Sequence, residues 1–189
     1  MIGLLQRVSH ASVVVEGVTV GAIEAGLLVL VCAERHDTEQ EADALLNKLL
    51  GYRVFAEAGR QIVREQDWIG GDALPWSAPA KFAELLLSRS LHQRIMAAGE
   101  PGLAFFDRSV VEPLSGLARM GLPVPAHFEG AGQLCRYDET VFVAPPWPEI
   151  HHVDAERRHG FDEALDEYEP LLATYRRLGY RLIELPRRP

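Results

Sequence analysis

Lysine is nearly missing from this sequence. Of 189 residues, 19 are Lys or Arg, and only Lys48 and Lys81 are lysine. Asp and Glu number 27, which leaves a net charge of −8 and a pI near 5.4. That balance argues against broad nonspecific nucleic-acid binding and leaves room only for a local basic patch. Cysteine is equally scarce. Cys32 and Cys135 lie far apart, in no metal-like spacing, so two reduced, buried thiols in a cytosolic protein are expected. Long apolar runs are missing too. The longest, Gly26 to Ala33, is too short to cross a bilayer. Arg7 interrupts the opening, and no signal-peptide plan follows it. These absences predict a cytoplasmic chain with no membrane partner. No internal repeat and no low-complexity tract occurs.

What is present suits a globular chain. Hydrophobic residues make up 48% and charged residues 24%, enough for a sizeable core in one domain or slightly more. The first third is rich in β-strand signals. LLQRV, SVVV and VTVGAI are short runs dense in Val and Leu, and Glu16-Gly17 between the last two reads as a hairpin turn. GLLVLVCA is unbroken and apolar, so it predicts a strand buried on both faces or a central one. Thr38 with Glu41 forms a capping-box pattern opening a helix. Ala42, Leu45, Leu46, Leu49 and Leu50 supply its apolar stripe, and Gly51 ends it. A short strand, Tyr52 to Ala56, follows. GLLVLV, this helix and this strand together predict a βαβ unit.

From Glu57 onward, helix and strand alternate. Residues 58–69 read as helix. A longer helix runs from Trp76 to Gly99, with Phe82, Leu85 and Leu86 on its buried face. GLAFF is a strand, and TVFVAPP is a strand stopped by two prolines. Phe161, Leu165, Tyr168, Leu172 and Tyr175 predict an amphipathic helix ending at Gly179, followed by the strand YRLIELP. The predicted fold class is α/β: a mainly parallel sheet flanked by helices, with N-terminal antiparallel hairpin strands. The change of character divides the chain into residues 1–56 and 57–189.

The opening LLQRV-x-x-ASV, the GLLVL strand and the LGYRVF segment together resemble the N-terminal part of D-aminoacyl-tRNA deacylases. The resemblance covers residues 1–56. It implies a β-barrel-like homodimer that hydrolyses the ester joining a D-amino acid to tRNA. That family's site uses a Ser-Gln-Phe-Thr segment and a Gly-Pro segment, and neither occurs here. No catalytic position carries over.

EAGRQIVREQ, FFDRS, GLPVPAHF, VFVAPPWPEI, DAERR and YRLIELP, in that order, resemble small AAA-type, kinase-like P-loop NTPases over residues 53–188. The resemblance implies a nucleotide-kinase-like sheet. It also implies a Gly-x-x-x-x-Gly-Lys-[Ser/Thr] loop before the EAGR segment, whose backbone N–H groups and Lys hold phosphates. Neither Lys48 nor Lys81 follows a glycine, so this loop is absent. In its place stands CAERHDT with Glu34 and Asp37, then Glu39 at the start of a helix. Their negative charge opposes a triphosphate.

The same resemblance places Asp107 and Arg108 in catalytic positions after the strand GLAFF, with Asp107 a magnesium ligand or general base. A strand-end cap or ion pair is the alternative. Arg157 and Arg158 match lid arginines that close over phosphates, where planar guanidinium groups fit; a solvated helix face is the alternative. Glu57 and Arg60 belong to the EAGR segment, as substrate contacts or as an ion pair. The implied cofactors are magnesium and ATP, weakly held.

His151, His152 and His159 with Asp154 do not form a standard zinc spacing. Arg176, Arg177, Arg181, Arg187 and Arg188 form a basic cluster that either touches RNA or balances an acidic chain. Three functional readings stand. One is a degenerate nucleotide-binding domain fused to a truncated deacylase segment, with little or no catalysis. The second is a deacylase acting on tRNA, and tRNA is a partner only there. The third is two gene fragments joined without an evolved function. The sequence leaves the oligomeric state open.

Overall fold

The computed structural model describes residues 1–24, 26–99, 102–151, 153–154, 156, 158 and 160–186, without the side chains of Arg7, Leu50 and Ile150. The chain divides into two compact units. The first is Met1–Tyr52 with Pro101–Leu103; the second is Arg53–Glu100 with Ala104–Pro189.

In the first unit β1 (Ile2–Val8) runs antiparallel to β4 (Gly26–Cys32), in register from Ile2 opposite Cys32 to Val8 opposite Gly26. Between them lies a hairpin of β2 (Ala11–Val15) and β3 (Val18–Ile23). Its two-residue turn is Glu16-Gly17, with φ of 50° and 81°. Both central residues have positive φ, the geometry that matches the right-handed twist of the strands. The register shifts between Val13 and Val14, the mark of a β-bulge. Helix α1 (Glu39–Leu50) starts on the expected capping box, with Thr38 and Glu41 each bonded to the other's backbone. A Cβ at Gly3 would come 3.1 Å from Leu45 Cδ1, so glycine there lets the helix lie close on β1.

Two expectations fail in this unit. GLLVLV is not buried on both faces: Leu30 is 53% and Val31 56% exposed. Among the described residues it also makes no ladder with the strand after α1, so the expected βαβ pairing is not seen. The backbone groups on one edge of β4 are satisfied by the seven-residue antiparallel ladder with β1.

The second unit holds every buried apolar side chain among the described residues. β5 (Arg53–Phe55) pairs in parallel with β6 (Ala104–Phe106), and the Phe55 and Phe106 rings stack at 4.9 Å. β7 (Thr140–Val143) pairs in parallel with β8 (Arg181–Glu184). The helices are α2 (Ala58–Ile69), α3 (Pro79–Ala98), α4 (Val111–Arg119), α5 (Ala126–Leu134) and α6 (Phe161–Arg177). The chain is thus α/β, but among the described residues its strands form four separate pairs, two of them parallel. A continuous, mainly parallel sheet is not present among the described residues.

The core gathers Val110, Val111, Leu114 and Leu117 against Phe128, Tyr175 and Tyr180. Phe128 is fully buried, which contributes about 1.5–3 kcal/mol relative to exposure. A smaller cluster of Ala58, Ile62 and Leu86 joins α2 to α3. α3 buries Ala83, Leu86, Leu87 and Ser90, a helical spacing rotated away from the expected Leu85, which is 40% exposed. Leu165 on α6 is likewise 47% exposed. Nor are the cysteines buried: Cys32 is exposed and Cys135 half-buried. Among the described residues no helix is long and apolar enough to cross a membrane.

Candidate functional site

A cleft of about 500 Å³ opens in the second unit, between α2, α3, α4 and α6. Its floor is apolar, with Val63, Phe82, Leu86, Leu117 and Leu171. These are the inner faces of helices whose amphipathic spacing turns them toward one another. Its wall is ionic. Glu57 stands just before α2 and Arg60 in that helix's first turn, where an i,i+3 spacing brings the pair to 3.4 Å.

Arg60 is the hub. Its Nη1 donates to Asp154 at 2.8 Å and to Glu156 at 3.4 Å. The Asp154 carboxylate, more than any other group, raises the guanidinium above its ordinary pKa. Arg108 reaches Glu57 through Nε at 3.0 Å. Burial pushes its pKa down, but the charges of Glu57, Glu112, Glu167 and Asp107 together lift it above the ordinary value.

Arg108 follows β6 with φ of 74°. A left-handed backbone at a residue with a long side chain costs about 1–2 kcal/mol. Such a cost persists where the surroundings enforce it, and functional loops are a common setting. Here the next residues enforce it. Ser109 N and Oγ both donate to Glu112 Oε2, at 2.7 and 2.9 Å, and Val111 N donates to Ser109 Oγ at 3.0 Å. This local lock opens α4. Tyr175 from α6 closes it by donating to Glu112 Oε1 at 2.9 Å.

The Arg158 guanidinium lies 4.0 Å from the centre of the Trp76 ring, a cation–π distance. No carboxylate pairs with Arg158 among the described residues.

The structure therefore brings Glu57, Arg60, Arg108 and Arg158 to one cleft. Asp107 is exposed, its backbone N–H donating to Phe55 O at 3.0 Å, and it does not line the cleft. Arg157, His152 and His159 lie outside the described residues, as do Arg187 and Arg188. Among the described residues no three His, Cys, Asp or Glu side chains gather around a metal position. Trp76, Glu112 and Glu156 escaped the sequence reading. Ser109-x-x-Glu112 is a capping-box pattern and could have revealed Glu112. Trp76 and Glu156 carry no local signal, because their partners lie far along the chain.

A family model described as "AAA domain" matches residues 42–189. The chain belongs to this AAA domain family. The AAA match begins inside α1 and takes in the whole cleft. Separately, part of the chain is similar to D-aminoacyl-tRNA deacylases. It is 68% identical over 72 residues to that of Janthinobacterium sp. (strain Marseille), covering 38% of this chain and 48% of the relative. It is 61% identical over 74 residues to that of Herminiimonas arsenicoxydans, covering 39% and 50%. The chain spans about half the length of the curated relatives it matches. No solved structure matches it. The composite resemblance read from the sequence is thus present in both parts.

Proposed function

We propose that the cleft is the remnant of a nucleotide site in a degenerate AAA-type, P-loop-kinase-like domain. It holds nucleotide weakly at most and turns it over little or not at all. The observation that carries this reading is that the phosphate-binding machinery is missing while three of the four arginines lining the cleft among the described residues already have carboxylate partners. The chain has no Gly-x-x-x-x-Gly-Lys loop before Arg53. Arg60 is engaged by Glu57, Asp154 and Glu156, Arg108 by Glu57, and Arg119 by Glu167. A triphosphate would have to break these pairs without backbone N–H groups to replace them. Magnesium commonly relies on one or two carboxylates together with substrate phosphates, and Asp107, the expected ligand, does not line the cleft. The residues do not suit magnesium triphosphate, so no step is assigned to it.

The test is thermal unfolding with and without magnesium-ATP. A ligand at 100 times its Kd adds about 2.7 kcal/mol, or roughly 5–10 °C at this size. A cooperative melt that stays in place agrees with the reading. An upward shift of that size overturns it.

The high identity of part of the chain to the deacylases supports a second reading, hydrolysis of D-aminoacyl-tRNA. The missing Ser-Gln-Phe-Thr and Gly-Pro segments count against it. Release of a D-amino acid from charged tRNA by the full chain would establish it.

A further inference from the structure

The charges around the cleft are not evenly committed. Among the described residues lining it, the acids are Glu57, Glu112, Glu156, Glu163 and Glu167, and the bases are Arg60, Arg108, Arg119 and Arg158. Each acid has work to do. Glu57, Glu156 and Glu167 face arginines, Glu112 holds Ser109 and Tyr175, and Glu163 accepts from Gly160 N at 2.7 Å. Three arginines are paired within the cleft wall. The fourth, Arg158, faces an aromatic ring instead of a carboxylate.

Resting on the reading above, that this cleft is a ligand site without a phosphate loop, we infer that it takes a planar aromatic molecule bearing one anionic group. The anion meets Arg158, whose guanidinium lies 4.0 Å from the centre of the half-buried Trp76 ring and has no carboxylate partner among the described residues, which leaves its N–H groups for hydrogen bonding. The ring lies on the floor of Phe82, Leu86 and Leu171, where burial of apolar area supplies the attraction. A second or third anionic group would meet Glu57 and Glu156 at the arginines they occupy. Charge thus sets the ligand class: one anion is favoured, none leaves Arg158 unused, and three are repelled.

Isothermal titration of the full chain with adenosine, AMP and ATP, all without metal, tests this. Affinity should peak at AMP. Naphthalene-2-carboxylate, which has one anion and no hydrogen-bonding ring edge, tells a nucleobase from a purely apolar ring. Arg158→Ala should weaken AMP or naphthoate at least about tenfold, the size of a hydrogen bond to a charged group. Trp76→Leu, which keeps apolar bulk, should weaken it about three- to tenfold. Arg177→Ala removes one positive charge from the pair with Glu129 outside the cleft and should change nothing. AMP and naphthoate both binding no better than adenosine, or binding that ignores Arg158, overturns the inference and leaves the weak-nucleotide reading standing. Tight magnesium-ATP binding overturns that reading instead.

Discussion

Arg60 Nη1 lies 2.8 Å from Asp154 Oδ2, a bond that ties the first turn of α2 to a residue 94 positions later. Neither side chain is fully in water: Arg60 is 27% and Asp154 33% exposed. The pair therefore escapes part of the solvent screening that makes most surface ion pairs worth little. Asp154→Asn keeps the shape and removes the charge, and should cost about 1–2 kcal/mol. Urea unfolding followed by tryptophan fluorescence measures it, because Trp68, Trp76 and Trp147 all belong to the second unit. The loss should shrink as salt is raised. An unchanged midpoint at low salt would show that the pair is replaced by water without cost.

The main core makes a larger and less conditional prediction. Phe128 is wholly enclosed by the cluster that contains Leu114 and Tyr175. Phe128→Ala should cost about 3–5 kcal/mol, from lost transfer energy and the cavity left behind. The urea midpoint should fall while the dependence on denaturant stays the same. A loss under about 1 kcal/mol would mean that the core collapses around the gap.

The buried tyrosines predict an alkaline limit. Burial raises the Tyr175 hydroxyl pKa well above its ordinary value, and the neighbouring Glu112 charge adds to the effect. Burial, again the largest cause, raises that of Tyr137. In both, the folded state favours the protonated form. Their contribution is fully present below the unfolded tyrosine pKa, near 10, and is lost as pH rises through the raised folded values. The slope should approach about 1.4 kcal/mol per pH unit for each tyrosine involved. Urea melts at about pH 8, 10 and 11 would show it, and Tyr175→Phe should remove its share. Stability that is flat above pH 10 in the wild type would contradict the burial of both rings.

Legibility in the sequence followed the range of the interaction. Helices α1, α2 and α3 were readable because capping, periodicity and terminal glycines act within one or two turns. The Thr38–Glu41 capping box and the glycine after α3 are of this kind. The partners of strands were not readable. GLLVLV looks like a central strand by composition, but β4 pairs with β1, and no local rule encodes that choice. The same divide runs through the cleft. Glu57–Arg60 is an i,i+3 pair and could be anticipated, whereas Arg60–Asp154 and Trp76–Arg158 join residues remote in sequence. The missing phosphate loop was the clearest signal, since it depends only on whether a lysine follows a glycine.

The β2–β3 hairpin is a place where a single backbone torsion should decide local stability. Among the described residues its two strands pair only with each other, and a lone two-stranded hairpin is marginal in water. The turn demands positive φ at Glu16 and Gly17. Glycine accepts this freely, whereas glutamate does not and asparagine does so more readily. Gly17→Val places a β-branched residue at φ of 81° and should cost about 1–2 kcal/mol. Glu16→Asn should recover a few tenths of that scale. Amide exchange at the Val15 and Val18 pair reads both changes. Exchange should quicken about fivefold or more with Gly17→Val, since ~1 kcal/mol corresponds to that factor in an opening equilibrium, and should slow with Glu16→Asn. Equal rates in all three chains would mean that the ladder opens by a route that leaves the turn intact, and the turn would not be what holds the hairpin in register.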